Sequence, residues 1–300
     1  MHLPATETSK PGDELSKFKR IGLFDSGVGG LSVMRGLSHL PDADKRSFVY
    51  VGDTARCPYG NRPAEEIELF VAQIITWMQR KEVDAIVMAC NTSAAVAREV
   101  AERVSPVPIF DLIAPTANAL AGSTQKIGVM ATASTARSQA FSKAIKSIDP
   151  AAQVIEYGCP ELVPIVESGH IDCDATRQVL AKYTDRLADD GVELVILGCT
   201  HFPFLKRELE KVSRNKIEFI DPAQILSGTN GNDRNVDLEI ELFVTGNIAG
   251  FARTAEICLG YMPVPIHSIV VSDLEACRIG DRFAISNESM TPPVVPSVVQ

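Results

Sequence analysis

Two cysteines in this chain occupy the same place in a repeated pattern. In Asp84-Ala85-Ile86-Val87-Met88-Ala89-Cys90-Asn91-Thr92, and again in Glu193-Leu194-Val195-Ile196-Leu197-Gly198-Cys199-Thr200-His201, an acidic residue leads four apolar residues. A small residue, a cysteine and a polar side chain able to hydrogen-bond a ligand follow. A free thiol has a pKa of about 8.5, so it can give or take a proton near neutral pH. Two thiols facing each other across one pocket would form an acid/base pair. Seen alone, a cysteine after an apolar run is ordinarily an inert core residue. The matched polar successors in both copies argue for chemistry instead. Cys57, Cys159, Cys173, Cys258 and Cys277 read as structural or incidental. Cys199 beside His201 suggests a metal, but third and fourth ligands are not visible, so none is expected.

The elements that must hold these thiols are legible around them. Each apolar run has the length and the Val, Ile and Leu content of a buried parallel strand, and each cysteine falls at its carboxyl end, where open α/β sheets bind ligands. A helix is expected from Ser93 to Val104 and another from Pro203, so each thiol precedes a helix whose N-terminus could lower its pKa. Upstream, Ile21-Gly22-Leu23-Phe24 opens into Asp25-Ser26-Gly27-Val28-Gly29-Gly30-Leu31-Ser32 and a helix to Leu40. Such a glycine-rich turn can bring backbone N–H groups to an anion. It departs from the dinucleotide fingerprint, since Ser32 replaces the last glycine, and it lacks the Gly-Lys-Ser/Thr of a P-loop. The strand Phe48–Val51 leads into a loop, Gly52 to Gly60, whose Asp53 and Tyr59 could reach a ligand; Pro58 and Gly60 alone would also account for a turn there. After Pro63, Ile67, Phe70, Val71, Ile74 and Met78 mark the core face of a helix.

From Lys126 the chain starts again. Ile127 to Ser138 lies over Ile21 to Ser32 without a gap, Gly158 then falls on Gly52, and the two cysteine runs align at nearly the same offset. The expected fold is therefore α/β, with two similar parallel-sheet domains related by pseudo-two-fold symmetry and the active site in the cleft between them. Residues 21–113 with about 225–272 form the first domain and 114–224 the second. Residues 1–20 read as a flexible leader and 273–300 as a disordered tail rich in proline. The polar stretch Gly228 to Asn235 reads as an exposed loop.

Three hundred residues suit two domains, and 45% hydrophobic residues suffice for their cores. A formal charge of −9 without a basic run argues against nucleic acid or an anionic membrane as partner. No apolar run approaches the roughly 20 residues of a membrane span, and the N-terminus lacks the apolar core of a secretory signal. Seven irregularly spaced cysteines without a C-x-x-C pair fit a reducing, cytosolic compartment.

Asp25-Ser26-Gly27-Val28-Gly29-Gly30, Pro58-Tyr59-Gly60, Cys90-Asn91-Thr92, Ala131-Thr132, Cys159-Pro160 and Gly198-Cys199-Thr200-His201 together resemble the glutamate racemases of the cofactor-independent aspartate/glutamate racemase superfamily. The similarity runs from about Ile21 to Gly260. It implies a cytoplasmic enzyme that interconverts L- and D-glutamate and supplies the D-isomer for peptidoglycan, two α/β domains, no cofactor, and a homodimer. By the same resemblance Cys90 and Cys199 are the proton-transfer residues. Asp25, Ser26, Tyr59, Gly60, Asn91, Thr92, Thr200 and His201 correspond to substrate-binding positions, and Thr132 and Thr135 to hydroxyls near the substrate carboxylate. Asp53 and Glu167 correspond to acidic residues that assist the thiols. Ser134 stands where a glycine is usual and Pro222 where a serine is usual.

The residue types fit that chemistry. Racemisation takes a proton from one face of Cα and returns one to the other, which needs a base and an acid on opposite sides of a planar carbanion. Hydrogen bonds from Asn91, Thr92 and Thr200 would stabilise charge developing on the carboxylate, and His201 could protonate or orient Cys199. The alternatives are an aspartate or other amino-acid racemase of the same superfamily, a nicotinamide-dependent oxidoreductase using the glycine-rich turn, and an amino-acid sensor without catalysis.

Overall fold

The structure, a computed structural model, describes residues 11–40, 42–227, 239–260 and 265–277. Its strands are β1 (Arg20–Asp25), β2 (Ser47–Gly52), β3 (Ala85–Met88), β4 (Ile109–Asp111), β5 (Ile127–Ala131), β6 (Val154–Gly158), β7 (Leu194–Gly198), β8 (Glu218–Ile220), β9 (Glu239–Val244) and β10 (Ile266–Ser268). They form two sheets, ordered β10-β9-β2-β1-β3-β4 and β6-β5-β7-β8, and every pairing described is parallel. The strand order 2-1-3-4 of the first sheet returns as 6-5-7-8 in the second. Ile127 of β5 lies opposite Leu194 of β7, as Ile21 of β1 lies opposite Ala85 of β3.

The cysteine-bearing runs are strands because both of their faces are covered. Ile86, Val87 and Met88 of β3 expose nothing, and neither do Val195, Ile196 and Leu197 of β7. Burying each such side chain contributes about 1.5–3 kcal/mol, so a charged residue at Val87 or Ile196 would disrupt the strand that carries a thiol. The helix Ala64–Gln79 buries Ile67, Val71, Ile74, Ile75 and Met78 against the first sheet. Phe70 is only half-buried and lies under the Arg56 guanidinium, 4.1 Å from its ring centre.

After β8 the chain returns to the first sheet: β9 pairs along the whole of β2, from Ser47 opposite Glu239 to Gly52 opposite Val244. Glu241 fixes this register at the far end of the sheet, where it meets Arg20 of β1 and, at 3.0 Å, Lys81. The helix Pro222–Ser227, which contains the expected domain boundary, packs on the helix Gly30–Leu37. The leader expected over residues 1–20 is structured from Pro11: Pro11–Leu15 is helical, and Leu15 is wholly buried in the core. Arg46, which donates to the Ser16 and Phe18 carbonyls, and Phe18, packed edge-on against Phe110, help hold it in place. At the other end, Val271–Glu275 is a helical turn with Leu274 buried, so order extends past the expected limit at 273. The loop expected at 228–235 and the tail from 278 lie outside the described residues. No described helix is long and apolar enough to cross a membrane.

Candidate active site

Cys90 and Cys199 end corresponding strands of the two sheets and line one pocket; each is 5% exposed. Cys90 caps the helix Asn91–Val104, and Cys199 precedes the short turn of helix Phe202–Leu205. The helix N-terminus does not lower the Cys90 pKa as the sequence suggested. Burial, helped by the nearby Asp25 charge, pushes it up to about 11, against the opposing hydrogen bonds from Ser93. Desolvation outweighs the dipole because the thiol is almost wholly buried.

Polar groups from both halves meet above the thiols. Thr92, from the first half, stands 3.0 Å from the Thr132 hydroxyl of the second, and Thr135 lies within 3.3 Å of Thr92 and 3.0 Å of Thr132. Thr132 also caps the helix Ala133–Ser138, accepting from the Thr135 N–H, so its position is set by backbone geometry. Asn91 is the one lining residue whose side-chain oxygen and nitrogen are both buried without a hydrogen-bond partner. A buried amide left so costs about 1–3 kcal/mol, which a ligand with a donor and an acceptor would recover. Ser26 reaches to 4.0 Å from Cys90. Tyr59, Gly60, Thr200 and His201 complete the predicted lining.

Four predicted residues, Asp25, Asp53, Thr135 and Glu167, stand behind the lining rather than in it. Asp25 is wholly buried and accepts from the Gly27 N–H (2.8 Å) and from Thr200 (2.9 Å), so it ties the first half to the second. Burial raises its pKa against the opposing pull of His201. Asp53 touches neither thiol. Its carboxylate takes the Arg56 Nε–H at 2.6 Å, the Tyr59 hydroxyl, and the Thr245 hydroxyl at 2.8 Å. Glu167 meets His201 Nε2 at 2.6 Å and accepts from the Val28 N–H at 3.2 Å, while His201 Nδ1 faces Cys199 Sγ at 3.8 Å. Burial opposes charge on His201, yet Cys199 and Glu167 together hold its pKa well above 6.5. Cys199 therefore has a proton-holding neighbour, fixed from behind by a carboxylate.

The glycine-rich turn lets the two halves approach closely. A Cβ on Gly29 would stand 2.4 Å from Thr200 Oγ1 and 2.6 Å from His201 Nδ1, and one on Gly60 would stand 2.7 Å from Thr132 Cβ. Only residues without a side chain allow this approach.

Further pocket residues were not among the expected site residues: Asn61, Val163 and Pro164, and Cys159, which had read as structural or incidental although Cys159-Pro160 was one of the motifs of the resemblance. Cys159 follows β6 where Asp53 follows β2, so the repeat register could have pointed to it.

Residues 21–227 match the Asp/Glu/hydantoin racemase family. The chain is 38% identical over 268 residues to a glutamate racemase of Trichormus variabilis, spanning 85% of this chain and 91% of that protein. Among solved structures, it superposes on a glutamate racemase isoform of Bacillus anthracis with a TM-score of 0.75 at 30% identity, covering 84% of this chain and 97% of the other. A glutamate racemase of Francisella tularensis in complex with D-glutamate gives 0.75 at 27% identity, with 84% and 98% covered.

Proposed function

From the premise that the chain belongs to the Asp/Glu/hydantoin racemase family, as an isomerase of its glutamate racemase branch, we propose that it interconverts L- and D-glutamate by proton transfer between Cys90 and Cys199. The observation that carries this reading is the placement of the two thiols at the ends of equivalent strands, on one pocket.

One thiolate takes the proton from Cα, and the electron pair of that bond spreads into the carboxylate. The opposite thiol then gives its proton to the other face and becomes the thiolate. Atoms and charge balance without an added reagent. The unpartnered Asn91 amide and the Thr92 and Thr132 hydroxyls suit the carboxylate on which charge develops, since donors fixed in a dry pocket act without reorganising. His201, held by Glu167, supports charge exchange at Cys199. Cys199 acts as base toward L-glutamate and Cys90 toward D-glutamate. The proposal extends to a cytoplasmic homodimer that supplies D-glutamate for peptidoglycan.

In deuterated water, at early times from L-glutamate, the D-product should carry deuterium while the remaining substrate carries almost none. Cys90→Ala and Cys199→Ala should each stop racemisation in both directions, since one enantiomer loses its base and the other its acid. Near-normal racemisation by either variant would overturn the two-thiol mechanism. Turnover of aspartate equal to that of glutamate would move the substrate assignment to the neighbouring branch.

A further inference from the structure

The pocket wall formed by Pro58, Tyr59, Gly60 and Asn61 has no regular strand or long helix of its own to fix it. Part of its support comes from the chain that follows β9, beyond residue 227, where the family match ends. Thr245 Oγ1 donates to Asp53 Oδ1 at 2.8 Å and accepts from the Ala55 N–H at 3.0 Å. The Thr245 N–H reaches the Gly52 carbonyl at 3.1 Å, and the Gly246 N–H reaches Thr54 Oγ1 at 2.9 Å. Gly246 approaches so closely that a Cβ there would stand 2.5 Å from Thr54 Oγ1. The other Asp53 oxygen takes Arg56 and the Tyr59 hydroxyl, and Arg56 is braced in turn by Gln73 at 2.6 Å.

We infer that Thr245 is a positioning residue for the reaction: through Asp53 it holds Tyr59, and with it the Pro58–Asn61 wall, against the substrate. The inference rests on the racemase reading of the pocket. Thr245 is the only side chain bonded to Asp53 Oδ1 among the described residues, so its loss frees the carboxylate to turn and leaves the Ala55 N–H without an acceptor. The affected wall binds substrate but carries neither thiol, so the defect falls on binding shared by ground state and transition state.

Thr245→Val is expected to raise KM for both enantiomers about tenfold with kcat changed less than threefold, and Thr245→Ser, which keeps the hydroxyl, to restore KM to within twofold. In the Thr245→Val background, Tyr59→Phe should add less than twofold to KM, because both act through one carboxylate. Hydrogen exchange over residues 54–61 should quicken about tenfold while peptides of β5 and β7 stay unchanged. Should the valine variant fold poorly, Thr245→Ala is read the same way. An unaltered KM, or a Tyr59→Phe effect equal in both backgrounds, overturns the inference. Unaltered exchange over 54–61 overturns it as well, and that measurement stands even if the protein does not racemise glutamate.

Discussion

Glu167 and His201 meet at 2.6 Å, Oε1 to Nε2, with the imidazole wholly buried and its other nitrogen turned to Cys199. Burial opposes charge on both partners, yet their contact lowers the Glu167 pKa from 4.5, and Cys199 together with Glu167 raises that of His201 well above 6.5. A lowered carboxylate stabilises the fold above its unfolded value and loses that contribution as pH falls through the folded one. A raised imidazole contributes fully below about 6.5 and loses its share as pH rises through its folded value.

The pair should therefore stabilise most strongly between about pH 4.5 and 6.5. Urea unfolding of Glu167→Gln across pH 4 to 9 is expected to lack that maximum. The His201 ring proton, followed by NMR, should titrate lower in the variant. An unmoved titration would mean that Glu167 does not govern the imidazole.

Cys90, with its pKa pushed up to about 11 by burial, is a thiol in the free protein at neutral pH. Its rate of alkylation, read by mass spectrometry of its peptide, should climb tenfold per pH unit from 7 to 9 without levelling. A plateau near pH 8 would contradict the burial-dominated environment.

The buried Asn91 amide has no hydrogen-bond partner among the described residues. Replacing it with leucine, of similar size, removes that penalty, so Asn91→Leu should unfold at the same urea concentration as the parent or higher, by up to about 1 kcal/mol. In the same variant KM should rise at least thirtyfold, and glutamate should no longer raise the melting temperature. A variant both less stable and unimpaired in binding would show that the amide serves the fold.

Gly29→Ala forces a methyl group to within 2.6 Å of His201 Nδ1 and closer still to Thr200. It should cost about 1–3 kcal/mol in unfolding and at least tenfold in turnover. Gly250→Ala, in the helix Ile248–Leu259, meets nothing nearer than 3.6 Å. It should be neutral or stabilise by about 0.5–1 kcal/mol. Equal effects of the two substitutions would remove the special role of the turn.

The repeated strand-cysteine pattern was readable because burial on both faces writes itself as an unbroken apolar run, and the repeat located both thiols. The sheet orders 2-1-3-4 and 6-5-7-8 follow the same repeat. The second rank of the site was not readable in this way. Asp53 had been expected to assist a thiol; it is hydrogen-bonded to Tyr59, and its bond to Thr245 spans 192 residues, a pairing no local pattern encodes. The glycines of Asp25–Gly30 suggested anion binding because a turn that admits a phosphate and one that admits a neighbouring side chain use the same residue type. The net direction of the Cys90 shift depended on how completely the pocket excludes water, which composition does not reveal.

The pairing of β9 along β2 has a consequence for the order in which the molecule can be made. A ribosome releases β2 long before β9, so the nascent first sheet must wait with one parallel edge open while the entire second sheet is synthesised. The second sheet, by contrast, has all four of its strands in hand by Ile220. Translation therefore completes the later-encoded half first, and the last strands to emerge close both an exposed edge and, through Thr245, the wall of the pocket.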